Sequence, residues 1–146
     1  MKITFIAHSA FLVEWDKFYT LFDYVYEPDY TGTLPPLDPQ KPLLVFSSHS
    51  HEDHFDGKVF GLLEQYPLTQ FFVSRDTRLT ERRRKWLGIS DEAFARTTVL
   101  RPDSILLTEA AGGELSVRAI KSTDIGNAYL LRAEGKMVYH GGDLNW

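Results

Sequence analysis

The order of apolar and polar positions predicts a chain that mixes strands with helices in its first half and continues as strands. Short runs rich in β-branched and aromatic residues are typical of strands, and the apolar run at 43–47 is typical of a strand buried on both faces. Strands are predicted over residues 2–7, 11–15, 18–24, 43–47 and 69–74. Helices are predicted over 58–65 and 76–87, the second with Asp76 as its N-cap and Gly88 as its end.

The remainder of the chain predicts two hairpins. Segments 104–108 and 114–120 flank an Ala-Ala-Gly-Gly turn, and segments 128–133 and 137–140 flank Glu134-Gly135. The proline-rich stretch 26–42 predicts a long loop, and its tyrosines are candidates for substrate contact, as is Tyr24 just before it. We expect a mixed α/β fold with a single domain over residues 1–146, because this length supports one buried core.

A cluster of histidines directly follows the buried strand at 43–47. His49, His51 and His54 lie within six residues, with Asp53 among them. Imidazole and carboxylate are ligands for zinc, manganese and iron, and the end of a strand in an α/β sheet is a common place for a site. A spacing of two lets His49 and His51 point to the same side, while Asp53 and His54 can face a second metal. The cluster therefore predicts a centre of one or two divalent metals.

Composition limits the alternatives. The chain has no cysteine, so thiolate ligands and disulfides are excluded, and we expect a cytoplasmic protein. The net charge of -4 argues against a nucleic-acid partner, and the basic run at 82–85 is expected to be a solvated helix face. No apolar run approaches the roughly 20 residues of a membrane span, and no export signal is expected.

Three segments carry a resemblance to a known family. HSHEDH at 49–54 resembles the HxHxDH signature of the metallo-β-lactamase superfamily. ITFIAHSAFLVE near the start resembles the opening hairpin of the branch that includes sugar-phosphate lactonases, and YHGGDLNW at the end resembles the later Gly-Asp segment. The resemblance implies an αββα sandwich. It also implies a ligand set: His49 and His51 on a first metal, Asp53 and His54 on a second, Asp143 bridging both, and His8 and Asp23 near the site.

The sequence departs from the family pattern at two places. Where many members have a further histidine ligand, this chain reads Lys-Ser-Thr-Asp at 121–124, so Asp124 is either a substitute ligand or a cap of the following turn. The chain ends three residues after Asp143, before the family's final histidine ligand, which implies a C-terminally incomplete sandwich. His140 should face away from Asp143 on an extended strand, so it is expected to pack or to support the ligands. A truncated product or a homo-oligomer that covers the incomplete side is the expectation.

The favoured function is a metal-dependent hydrolase. A metal-bound hydroxide would attack an ester, lactone, amide or phosphodiester of a small anionic substrate, and Asp53 could hold or move the water proton. Zn²⁺ is the expected cofactor, with Mn²⁺ or Fe²⁺ as alternatives and up to two ions per chain. The rival hypothesis is a degenerate, non-catalytic metal-binding domain, because ligand histidines are missing. A nuclease is a third hypothesis, against which the acidic charge counts.

Overall fold

Two β-sheets form the framework of the structure, a computed structural model that describes residues 1–26, 28–108 and 115–145. The first sheet contains six strands in chain order. They are β1 (Lys2–Ala7), β2 (Ala10–Glu14), β3 (Tyr19–Phe22), β4 (Leu43–Ser47), β5 (Thr69–Ser74) and β6 (Thr97–Leu100). β1, β2 and β3 are antiparallel, and β3 to β6 are parallel. Every residue of β4 is buried, as the apolar run predicts for a central strand.

The second sheet is antiparallel and contains the predicted hairpins. Its order is β10-β9-β8-β7. The strands are β7 (Ile105–Thr108), β8 (Leu115–Lys121), β9 (Asn127–Ala133) and β10 (Lys136–His140). The predicted Ala-Ala-Gly-Gly turn lies outside the described residues. Glu134 has a φ of 51° and Gly135 a φ of 70°, the left-handed conformations that a tight turn between β9 and β10 requires.

The helices are short and differ in part from the prediction. They are α1 (Leu62–Gln65), α2 (Glu81–Trp86) and α3 (Asp91–Ala95). The predicted helix over 76–87 is wrong in its first part, because Arg75–Thr77 forms a separate 3-10 turn that ends at Arg78 with a φ of 49°. Thr80, not Asp76, is the N-cap of α2 and accepts a hydrogen bond from Arg83 N. The helix α3 and the strand β6 were not predicted, since each is too short for a clear period.

Two apolar layers hold the sheets in place. Between the sheets, Phe22, Phe46 and Phe72 stack in a row, with ring centroids 5.3 and 4.8 Å apart. The other face of the first sheet packs against the helices and the loops through residues such as Leu21 and Val45. The predicted mixed α/β fold is confirmed: one sheet lies on another, with helices on the outer side of the first.

The outer face of the second sheet is largely apolar and exposed. Its exposed apolar side chains are Ile105, Leu107, Met137 and Tyr139. A homo-oligomer that covers this face stays a prediction. Among the described residues, no helix is long and apolar enough to cross a membrane.

Candidate metal centre

The candidate site lies where the parallel strands end. β1, β3, β4 and β5 run in the same direction, so the residues that follow them meet at one edge of the first sheet. His8 follows β1, Asp23 follows β3, and Ser48 with His49 follows β4. His8 and Asp23 both have left-handed backbone conformations, with φ angles of 48° and 46°, which turn the chain at the ends of their strands.

Seven ligand-type side chains gather at this edge in two groups. In each group the potential ligand atoms lie within 4.8 Å of one another. The first group is His49, His51, Asp124 and Asp143, and the second is His8, Asp53 and His54. Asp143 lies between the groups: its Oδ2 is 3.8 Å from His49 Nε2, and its Oδ1 is 3.1 Å from His54 Nε2. One carboxylate therefore faces both groups with separate oxygens.

The donor atoms of the histidines fit a divalent cation. His49 and His54 are fully buried, and His49 Nε2 lies 3.0 Å from His51 Nδ1. His54 Nε2 is buried and makes no hydrogen bond, which is costly for a polar atom unless the site has another partner for it. Burial, together with the charge of His54, lowers the pKa of His49, so its ring is held neutral, the form that binds a metal.

Asp23 holds the ring of His54 from behind. This buried carboxylate accepts hydrogen bonds from His54 Nδ1 at 2.8 Å and from both the backbone N and the hydroxyl of Ser48 at 2.7 Å. His140 Nε2 donates to the same Oδ2 at 2.7 Å. Burial alone would raise the pKa of Asp23, but the charges and hydrogen bonds of His140 and His54 outweigh it and hold the pKa far below its usual range. With Nδ1 committed to Asp23, the other nitrogen of His54 faces Asp53 and Asp143.

His140 lies beside the centre and, among the described residues, is not a member of either ligand group. It contacts Asp23 with its ring nitrogen and stacks on Phe22 with ring centroids 4.8 Å apart. Its ring thus lies behind Asp23, and a role in supporting the ligands stays a prediction.

His8 and Asp53 form the exposed side of the second group. His8 Nε2 lies 2.9 Å from Asp53 Oδ2, and the ring of Tyr30 lies against His8 at 4.9 Å. Burial acts to raise the pKa of Asp53, yet the hydrogen bond from His8 and the charge of His54 lower it below its ordinary value. Of the candidate tyrosines, Tyr24 is buried and donates to Gly32 O, whereas Tyr26 is exposed. Tyr30 is thus the tyrosine in contact with the site.

The loop after β8 brings Asp124 to the first group. Ser122 Oγ donates to the backbone oxygen of Asp143 at 2.7 Å, and Asn145 Nδ2 donates to Asp124 Oδ1 at 2.7 Å. Gly126 lies against the histidine loop with a φ of 74°, and a Cβ there would be 2.3 Å from Ser48 O. Only glycine allows this close approach.

Two supporting residues were missed from the sequence. Ser48 binds Asp23 twice and also lies 2.9 Å from His49 Nδ1, so it orients the centre. Asp76 was interpreted as a helix cap, but its Oδ2 accepts a hydrogen bond from Ser50 N at 2.8 Å and fixes the loop between His49 and His51. Their positions in the sequence could have indicated them. Ser48 directly follows β4 and Asp76 lies two residues after β5, and both strands end at this edge.

Comparisons with known proteins bear on the family and the fold of this chain. A family model described as a beta-lactamase superfamily domain matches residues 2–146. A relative from Opitutus terrae, named UPF0173 metal-dependent hydrolase, is 29% identical over 98% of this chain and 63% of its own length. The structure of Igni18, a novel metallo hydrolase from Ignicoccus hospitalis, matches with a TM-score of 0.68 at 22% identity, over 97% of this chain and 60% of that one. A possible metal-dependent hydrolase from Veillonella parvula matches with a TM-score of 0.59 at 15% identity, over 99% and 64%. The chain thus spans about three fifths of the length of these relatives.

Proposed function

The chain belongs to the metallo-β-lactamase superfamily, and on that premise we propose that it is a metal-dependent hydrolase whose centre holds up to two divalent cations. The observation that carries the proposal is the pair of donor groups joined by Asp143. A carboxylate with one oxygen toward each group is the arrangement that two neighbouring cations need.

The first cation position would be held by His49, His51, Asp124 and Asp143. Asp124 would be the donor where many members of the family have a histidine ligand. Its carboxylate carries a negative charge, whereas a neutral imidazole does not. The second position would be held by His8, Asp53, His54 and Asp143. Here His8 would be a further nitrogen donor, since its Nε2 lies 2.9 Å from Asp53 Oδ2. The donors are nitrogen and carboxylate oxygen only, which favours Zn²⁺ and admits Mn²⁺ or Fe²⁺.

The remaining chemistry follows from the side chains. When bound, divalent cations lower the pKa of water and polarise the oxygen of an ester, lactone, amide or phosphodiester. Asp53 is partly exposed and lies 2.9 Å from His8, so it can accept a proton at Oδ2 if it is not engaged as a ligand through that oxygen. Asp23 and Ser48 keep His54 and His49 in a fixed orientation. The substrate is a small, anionic molecule in this proposal.

Metal content tests the proposal directly. Protein purified without chelator and supplied with Zn²⁺ is expected to contain two equivalents by elemental analysis. His51→Ala should reduce the first position, and His8→Ala should reduce the second, so each variant is expected to retain about one equivalent or less. Both side chains are exposed, so neither substitution should unfold the protein.

Glu52→Gln is the matched control. Glu52 is an exposed carboxylate in the same loop and belongs to neither donor group, so its loss should leave two equivalents. If the wild-type chain takes up no metal, the degenerate, non-catalytic hypothesis replaces the hydrolase. If metal is bound and His8→Ala retains both equivalents, the second position does not use His8.

A further inference from the structure

A basic cavity lies beside the first donor group. It has a volume of about 690 Å³, in the range of small-molecule sites. Asp124 lies in its wall, as does Ser50, which separates His49 from His51. The larger cavity, of about 970 Å³, is lined by residues at the opposite ends of the second sheet's strands, such as Glu134 and Gly135, and by none of the proposed ligands. Of these two cavities, the one of about 690 Å³ therefore lies beside the centre.

Four cationic side chains line this basic cavity. They are Arg75, Arg78, Arg83 and Lys121. They come from three separate parts of the chain: the turn after β5, helix α2 and the end of β8. Within the described residues none of the four has a carboxylate within 4.0 Å, although other arginines, such as Arg84 and Arg96, are paired. Arg75, Arg78 and Lys121 are exposed and Arg83 is half-buried, so all four can reach an anion that enters the cavity.

Two buried polar atoms around the cavity also lack partners. Arg83 Nε is buried without a hydrogen bond, and its guanidinium lies over the ring of Phe55 at 6.0 Å from the centroid. Asp76 Oδ1 is likewise buried without a partner, while its other oxygen holds Ser50 N. Buried polar atoms without a partner are uncommon, so these two atoms leave room for a contact that the described residues do not supply.

The charge of the cavity indicates which anion fits. The four cations and the two carboxylates of Asp76 and Asp124 leave a formal charge of about two positive units. A phosphate monoester carries close to two negative charges at neutral pH and offers several acceptor oxygens. Arginine binds such a group through paired N–H donors, which favours phosphate over a single carboxylate. The overall acidic charge of the chain favours a small molecule over a nucleic-acid strand.

We propose that this cavity binds the phosphate monoester group of the substrate through Arg75, Arg78, Arg83 and Lys121, and so positions the bond to be hydrolysed at the metal centre. The inference rests on the proposed hydrolase function for its biological meaning, but the cavity can be tested without turnover. The phosphate is an anchor and is not itself cleaved.

Binding of inorganic phosphate to the zinc-loaded chain, measured by isothermal titration calorimetry, tests this anchor. The double variant Arg75→Gln/Arg78→Gln is expected to weaken phosphate binding at least tenfold. The control Arg82→Gln/Arg101→Gln removes the same charge from exposed arginines outside the cavity and should change binding less than twofold. His51→Ala, which disables the first donor group, should retain phosphate binding within a few fold.

The outcomes separate this inference from the proposed function. Phosphate binding that is lost in His51→Ala and kept in the cavity double variant would show phosphate on the metal alone, and would overturn the inference while supporting the metal centre. Equal weakening in both arginine pairs would reduce the effect to net charge and would also overturn it. A chain that takes up no zinc but still binds phosphate through Arg75 and Arg78 would support the cavity and reject the hydrolase.

Discussion

Asp23→Asn is the substitution that tests most sharply how the centre is held together. Asp23 Oδ2 accepts from Ser48 Oγ, His54 Nδ1 and His140 Nε2, all within 2.8 Å. Asparagine keeps the shape and the oxygen that binds Ser48 N, but it places an amide donor against two imidazole N–H groups. Each hydrogen bond to a charged group contributes about 1.5–3 kcal/mol, and relief of the buried charge offsets part of the loss. We therefore expect a destabilisation of about 3 kcal/mol.

Thermal unfolding and metal titration give two independent measurements of this effect. For a chain of 146 residues, about 3 kcal/mol corresponds to a fall of about 10 °C in Tm. Metal affinity should fall by about 10–100-fold, because His54 loses the group that orients it. Asp16→Asn is the control, since the Asp16 side chain is 76% exposed and, among the described residues, pairs with the N-terminus at 3.8 Å. Its Tm should change by no more than about 1–2 °C.

A Tm of Asp23→Asn within about 2 °C of the wild type, together with equal zinc affinity, would contradict this prediction. Should that variant not fold, His140→Phe removes one donor and keeps the ring stacked on Phe22. It should cost about half as much as Asp23→Asn.

The pH dependence provides a further check in the metal-free protein. Because the pKa of Asp23 is lowered on folding, its contribution is complete above the unfolded-state pKa of about 3.9 and is lost as the pH falls through the folded-state pKa. The free energy of unfolding should therefore fall less steeply below pH ~4 in Asp23→Asn.

Single substitutions can test the turn at Gly126, the contact between the sheets at Tyr129 and the bridging position of Asp143. Gly126→Ala should destabilise the protein by about 3 kcal/mol in calorimetry, because its Cβ would meet Ser48 O. The control Gly135→Ala has the same sign of φ and nothing within 4 Å of its Cβ, so it should cost only about 1 kcal/mol, and equal losses would exclude the close contact as the cause. Tyr129→Phe removes the buried 2.8 Å hydrogen bond to Ser47 O and should lower the free energy of unfolding by about 1–2 kcal/mol in urea; an unchanged midpoint would contradict this. Asp143→Asn should reduce zinc content at both positions with little change in Tm, because its side chain is 45% exposed; retention of two equivalents would show that Asp143 does not bridge.

Much of the fold could be predicted from local patterns. Residues 43–46 are all apolar because β4 has a strand on each side and apolar layers on both faces. The hairpin of β9 and β10 follows from Glu134 and Gly135, which tolerate a tight turn. The helix over 76–87 was wrong because a contact between distant parts of the chain competes with the local cap. Asp76 bonds to Ser50, and Thr80 then begins the helix.

The sequence by itself determined which ligand-type side chains form the core of the candidate centre, because His49, His51, Asp53 and His54 are neighbours on one loop after a buried strand. Only the tertiary structure decided what surrounds that loop. His140 is 117 residues from Asp23, yet the two share a 2.7 Å hydrogen bond. Such contacts depend on strand order and on how one sheet lies on the other, and neither is encoded in the spacing of residues along the chain. The same packing brings together the cations of the basic cavity, which in the sequence are scattered surface charges.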